Sequence, residues 1–167
     1  ISYLAGAELP SVIVNVVRGG PGLGTIQPSQ ADYFQSVKGG GHGDYKLYVL
    51  APASVQEMAD FVEDAFDIAF KYRAPVLILS DGLIGQMMEK VILKDQQERL
   101  TNEELIEKYG DWATTGKPKT REHNIVTSLD LQSEKMEARV RRLMAKYDQM
   151  EKEDVRYEKI NCDEEEY

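Results

Sequence analysis

Apolar positions along this chain fall into three short continuous runs, one long amphipathic stretch, and a remainder in which they thin out. The run Ser11-Val-Ile-Val-Asn-Val-Val17 is short, unbroken and β-branched, the pattern of a strand buried on both faces. Residues 46–51 predict a second strand, and 75–79 a third, closed by Ser80-Asp-Gly82. Between the last two, Ser54-Val-Gln-Glu57 is a capping box that opens a helix running to about Tyr72. Val55, Met58, Ala59, Val62, Ala65, Phe66 and Ala69 form its predicted apolar stripe. Glu57, Asp60, Asp64, Asp67 and Lys71 form the opposite face. Residues 2–9 predict a short helix ended near Pro10, and residues 29–37 another, with Ser29 as its N-cap. Strand, helix, strand, helix, strand implies βαβ crossovers, a parallel sheet and an α/β fold.

After Gly82 the pattern weakens. Residues 83–133 hold one short helix candidate, 102–109, amid loop-like sequence with Gly116 and Pro118. So long an irregular stretch predicts an arm that packs on another subunit or domain. Ser133 is the expected cap of a second long helix to about Lys152. Met136, Val140, Leu143, Tyr147 and Met150 would form a narrow seam along it. The basic run Arg139, Arg141, Arg142 and Lys146 sits among glutamates and predicts a solvated face.

Charge divides the chain in the same way. The net charge is -9, yet residues 1–50 carry three acids and three bases. The excess acid lies in the remainder, so a neutral, glycine-rich start precedes a solvated end. An acidic chain without a basic stripe is not a nucleic-acid binder. No apolar run reaches membrane-spanning length, so no membrane partner is expected. Cys162 is the single cysteine, which excludes a disulfide framework within the chain, and a reducing cytoplasm is the simplest location. The chain opens on Ile1, directly in helix-like sequence, and is expected to be a piece of something longer.

The candidate chemistry lies where the first strand ends, at Arg18-Gly-Gly-Pro-Gly-Leu-Gly-Thr25. Glycines let backbone N–H groups approach a ligand, and α/β proteins bind ligands beyond the carboxyl ends of their strands. The loop is not a P-loop, since no Gly-Lys-Ser/Thr follows, and Gln27 stands where a dinucleotide fingerprint needs its third glycine. Arg18 at its mouth suits a carboxylate or phosphate, because a planar fork binds two oxygens at once. A buried arginine also requires an anion, from the protein or from a ligand. The competing reading is a tight surface turn with Arg18 in an ordinary salt bridge. His42, within Gly-Gly-Gly-His-Gly-Asp44, could donate a proton or a hydrogen bond, but a solvent-facing loop histidine explains it as well. His123 reads as surface, and two distant histidines do not make a metal site.

Several motifs in order resemble a family: Gly-Ala-Glu-Leu-Pro10, the apolar strand, the Arg18 loop, Gln-Pro-Ser-Gln-Ala-Asp32, Gly-Gly-His-Gly-Asp44, Val-Leu-Ala-Pro-Ala-Ser-Val-Gln-Glu57, Leu-Ser-Asp-Gly82 and Arg-Glu-His-Asn-Ile-Val-Thr-Ser-Leu129. Together they resemble the α subunit of 2-oxoacid:ferredoxin oxidoreductases, nearest the 2-oxoisovalerate (3-methyl-2-oxobutanoate) subgroup. The resemblance implies a thiamine-diphosphate-binding fold, with this chain in its pyrimidine-side domain. It implies thiamine diphosphate shared with a β subunit, and magnesium and iron–sulfur clusters on other subunits. None of these would be held by this fragment alone. The implied partners are β and γ subunits, ferredoxin, coenzyme A and the 2-oxoacid. The implied reaction is oxidative decarboxylation to an acyl-CoA with ferredoxin reduction.

Residue by residue, Arg18 matches the family arginine that holds the oxoacid carboxylate, and Gly19, Gly20, Thr25 and Gln27 match the substrate-side loop. In 2-oxoglutarate members the loop reads roughly Arg-Gly-Gly-Pro-Ser-Thr-Gly-Leu-Pro-Thr. Here hydroxyls are lost and Leu23 and Ile26 are gained, which favours an apolar, branched substrate. No catalytic residue is assigned within the chain. The family glutamate that protonates the pyrimidine ring would lie upstream, and Glu8 is in the wrong motif to replace it. The expected division is residues 1–82 as the C-terminal half of the pyrimidine-side domain, 83–133 as the arm, and 134–167 as a long helix and linker. Such a fragment is expected to be inactive alone. The alternative is a non-catalytic anion-binding or subunit-assembly module.

Overall fold

The computed structural model describes residues 1–159; the acidic tail and Cys162 lie outside the described residues. Three parallel strands form the sheet in the order β1-β3-β2, with β1 Ser11–Val17, β2 Tyr48–Leu50 and β3 Pro75–Asp81. Among the described residues five helices accompany them: α1 Ser2–Gly6, α2 Tyr33–Val37, α3 Val55–Tyr72, α4 Asn102–Tyr109 and α5 Ser133–Glu153.

β3 is central because it is the most apolar run, and Val76 and Ile78 are fully buried. Pro75 starts that strand, a position where its missing N–H costs no ladder bond. Arg73 closes α3 in the left-handed region (φ 48°), and Pro75 keeps Ala74 out of helical geometry. Val76, Ile78 and Leu50 pack with Ala65, Ile68, Ala69 and Tyr72 of α3 and with Tyr147 and Met150 of α5. Each fully buried aliphatic side chain there contributes roughly 1.5–3 kcal/mol.

The structure departs from the sequence expectations at identifiable places. β1 is not buried on both faces: it lies at a sheet edge among the described residues, and Val14 and Val16 are about half exposed. β2 is three residues rather than six. α2 begins at Tyr33, with Asp32 rather than Ser29 as N-cap: residues 29–32 form no helical turn, and Asp32 enters the helix from the left-handed region (φ 56°). The buried stripe of α3 is rotated from the expected one. Phe61, Ala65, Ile68, Ala69 and Tyr72 meet the core, whereas Val62 and Phe66 are exposed. Apolar residues occupy two adjacent faces of this helix, and contact with β3 selects one. The seam of α5 is also shorter than expected: Tyr147 and Met150 are buried and Leu143 packs beside them, but Met136 and Val140 are exposed. Gln132, not Ser133, occupies its N-cap position.

The arm lies along the chain's own α3. Gln56 exchanges two hydrogen bonds with the backbone of Ile92, the Glu89 carboxylate accepts from Val55 N at 3.1 Å, and Lys94 pairs with Glu63 at 2.8 Å. Farther on, Arg73 stacks over the Trp112 ring at 4.5 Å, and Trp112 packs against Tyr109 and Phe70.

Candidate functional site

The outer strand β1 and the central strand β3 end side by side. Gly82 N donates to Val17 O at 2.8 Å, tying the end of β3 to the end of β1. Asp81 accepts from Ile84 N at 2.8 Å through its carboxylate, closing the turn after β3. Between these ends lies a cleft of about 290 Å³, lined by Val17, Ser29, Ala31, Leu79, Ser80 and Asp81 among others. It sits where a parallel sheet presents ligand sites, beyond the carboxyl ends of its strands. A larger apolar groove of about 380 Å³ runs between β2 and the end of α5, lined by Tyr48, Phe61, Tyr147 and Met150. It lacks such convergence of strand ends and is continuous with the core.

The glycine loop leaves from the same edge. Its ends meet: Gly19 N donates to Gln27 O at 3.0 Å, and Arg18 bridges Pro28 in antiparallel fashion. Inside it, Thr25 N donates to Gly19 O at 2.8 Å, and Gln27 N donates to Thr25 Oγ1 at 3.2 Å. Arg18, Gly19, Thr25 and Gln27 are thus one hydrogen-bonded unit, and Gly20 lies at its exposed side. Arg18 itself is exposed rather than buried. Nη1 donates to the carbonyls of Gly19 (3.3 Å), Leu23 and Thr25 (3.2 Å). Among the described residues it forms no ion pair, so the salt-bridged surface turn is not what the structure holds. Loop carbonyls replace the anion that burial would have demanded. Leu23 and Ile26 stand 93% and 87% exposed on the same loop, with no core beneath them.

His42 is exposed, and its backbone carbonyl, not its ring, is engaged, accepting from Ser2 Oγ at 2.6 Å. His123 is exposed as well. The expected cofactor, thiamine diphosphate, would meet only one wall here. Asp81 is committed to its own turn, and among the described residues no group of three or more His, Cys, Asp and Glu could hold a metal ion. A diphosphate with its metal does not fit the residues present by themselves.

The basic run of α5 corrects another expectation. Lys146 and Arg139 are largely withdrawn from solvent, with side chains 12% and 13% exposed. Lys146 Nζ lies 2.6 Å from Glu8 Oε2, and Arg142 lies 2.7 Å from Glu8 Oε1. Arg139 pairs with Asp130 and donates to Gly6 O at 2.6 Å. Burial alone would raise the Glu8 pKa, but hydrogen bonds from Lys146 and Arg142, with their charges, outweigh it and hold the carboxyl below its ordinary range. Burial lowers the Lys146 pKa despite Glu8. Glu8 lies more than 130 residues before Arg142 and Lys146, and no spacing in the sequence signals the pairing. Glu8 and the Arg73 carbonyl stand just before β1 and β3, so the cluster ties α5 to the starts of these strands, whereas the cleft lies at their ends.

No helix among the described residues is long and apolar enough to cross a membrane. A family profile described as pyruvate flavodoxin/ferredoxin oxidoreductase, thiamine diphosphate-binding, matches residues 1–159. The chain is 48% identical over 165 residues to the ketoisovalerate oxidoreductase subunit VorB of Methanothermobacter thermautotrophicus, covering 98% of this chain and 44% of that protein. It is 50% identical over 160 residues to the protein of the same name from Methanothermobacter marburgensis, covering 95% and 43%. The chain therefore spans less than half the length of these relatives. The fold matches that of a 2-oxoglutarate:ferredoxin oxidoreductase from Magnetococcus marinus, solved with 2-oxoglutarate, coenzyme A and succinyl-CoA bound. That likeness has a TM-score of 0.63 at 23% identity, over 92% of this chain and 30% of the other. With its parallel sheet, its strand-end cleft and its glycine loop, the chain belongs to the pyruvate flavodoxin/ferredoxin oxidoreductase family, in the thiamine-diphosphate-binding domain.

Proposed function

We propose that this chain is the substrate-side part of an α subunit in a 2-oxoacid:ferredoxin oxidoreductase acting on a branched-chain 2-oxoacid such as 2-oxoisovalerate. The reaction breaks the bond between the carboxylate and the keto carbon. CO2 leaves, the released electron pair passes to ferredoxin, and the acyl group is transferred to coenzyme A. Thiamine diphosphate, shared with a β subunit, would supply the carbanion chemistry, with magnesium and iron–sulfur clusters on other subunits. This chain's own part is to bind and orient. Residues 1–82 carry that role, and 83–133 form the arm.

The observation that carries this reading is the Arg18 guanidinium on the loop that leaves the end of β1, without an ion-pair partner among the described residues, in a chain whose family binds thiamine diphosphate. A cation without a carboxylate partner is suited to the carboxylate of a 2-oxoacid. Gly19, Gly20, Thr25 and Gln27 shape the surrounding wall, and the apolar Leu23 and Ile26 favour a branched side chain over a second carboxylate.

The test is ferredoxin reduction by the intact complex with 2-oxoisovalerate and with 2-oxoglutarate. Turnover of the branched acid is expected, and Arg18→Ala should raise its KM roughly ten- to a hundredfold, the worth of a charge-assisted hydrogen bond. Unchanged KM removes Arg18 from the site, and equal use of both acids removes the assignment of substrate.

A further inference from the structure

The Arg18 guanidinium is held from one side only. Nη1 donates to three carbonyls of its own loop, those of Gly19, Leu23 and Thr25, while Nε and Nη2 make no hydrogen bond among the described residues. Nε and Nη2 form the lateral edge of the guanidinium, the edge that meets a carboxylate with two parallel bonds. The loop therefore fixes the group through one nitrogen and leaves a complete two-donor fork.

Gly24 makes this arrangement possible. It lies between Leu23 and Thr25, and its left-handed backbone (φ +56°) turns both neighbouring carbonyls onto the same nitrogen. A Cβ at this position would stand 1.8 Å from Gly19 O and 2.8 Å from Arg18 Nη1. The first atom is backbone, itself fixed by the bond from Thr25 N at 2.8 Å, so it cannot yield cheaply. Gly22 provides the contrast. It is also left-handed (φ +68°), but a Cβ there would meet nothing within 4 Å.

We propose that Gly24 is a positioning residue for Arg18: its absent side chain lets the loop carbonyls hold Nη1, so that the Nε–Nη2 edge takes the carboxylate of the 2-oxoacid. The inference rests on the functional reading above and adds how the clamp is aimed. Any residue with a Cβ at position 24 pushes on the guanidinium and on the carbonyl that anchors it, and the fork turns away from its substrate.

The experiment compares Gly24→Ala with Gly22→Ala in the intact complex, by oxoacid-dependent ferredoxin reduction. Gly24→Ala should raise the KM for the oxoacid about tenfold or more, with the KM for coenzyme A unchanged. Gly22→Ala, which shares the backbone strain without the collision, should shift the oxoacid KM by less than about threefold. Arg18→Lys leaves every loop backbone atom in place and removes the fork. It should raise the same KM, which keeps the proposal testable if Gly24→Ala does not assemble. A crystal structure of the Gly24→Ala complex should show the guanidinium displaced. Wild-type oxoacid KM in Gly24→Ala or in Arg18→Lys, an equal effect from Gly22→Ala, or an unmoved guanidinium overturns the positioning role while leaving the enzyme assignment standing. A wild-type complex that reduces ferredoxin with no 2-oxoacid overturns the functional reading itself.

Discussion

Glu8 offers the sharpest test of how this fold is held together. Its carboxylate is 10% exposed, and it receives Lys146 at 2.6 Å and Arg142 at 2.7 Å. Glu8→Ala would strand the Lys146 ammonium, 12% exposed, with the Arg73 carbonyl at 3.1 Å as its remaining partner. Removing one member of a buried pair costs about 3–5 kcal/mol, most of it from the charge left behind. Arg142 is 57% exposed and can return to water, so the cost belongs chiefly to Lys146. In the intact subunit the loss appears as a lower Tm. Lys146→Met should recover most of the loss in the double variant, since a buried pair replaced by apolar groups is often close to neutral. The assay is thermal unfolding of the intact subunit, followed by circular dichroism, for wild type, both single variants and the double.

The pH dependence has a definite sign. The Glu8 pKa is held below its ordinary 4.5, so its contribution is complete above that value and is lost as pH falls through the lower, folded-state pKa. Wild type and Glu8→Ala should therefore converge in strong acid. Lys146 acts in the opposite sense: its lowered pKa makes its buried charge a cost that is relieved as pH rises toward 10.5. A loss below about 1 kcal/mol for Glu8→Ala at neutral pH, or a double variant as unstable as the sum of the singles, would refute the reasoning.

Two further outcomes are expected. Leu23→Ser with Ile26→Thr should shift the ratio of kcat/KM between 2-oxoisovalerate and 2-oxoglutarate by roughly tenfold toward the latter, with Tm unchanged because both side chains are exposed; an unaltered ratio removes them from specificity. Tyr72 is pushed up to about 12 by burial, by its bond to Asp154 and by that carboxylate's charge. Asp154→Asn should lower the tyrosinate midpoint seen by ultraviolet titration without returning it fully to 10, since burial remains; no movement shows that the bond is not formed in solution.

Much of this protein is written locally. Continuous β-branched runs place β1 and β3, Ser54 accepts from Glu57 N at 3.1 Å as the capping motif requires, and Thr101 with Glu104 forms a complete capping box on α4. The motifs around Arg18 carried the family, because their residue order is distinctive. What the sequence left open depends on partners far along the chain. The sequence reading of α3 put Val62 and Phe66 on its apolar stripe, and the position of β3 decided that Ile68 and Tyr72 face inward instead. Arg139 and Lys146 read as solvated because their carboxylate partners, Asp130 and Glu8, are joined to them by folding and not by helical spacing. Arg18 read as a cation in need of an anion; tertiary structure supplied three loop carbonyls to one nitrogen, leaving its other edge open. Local propensity sets which backbone each segment adopts, but a charge or an apolar face finds its partner only through space, and that was decided by the fold.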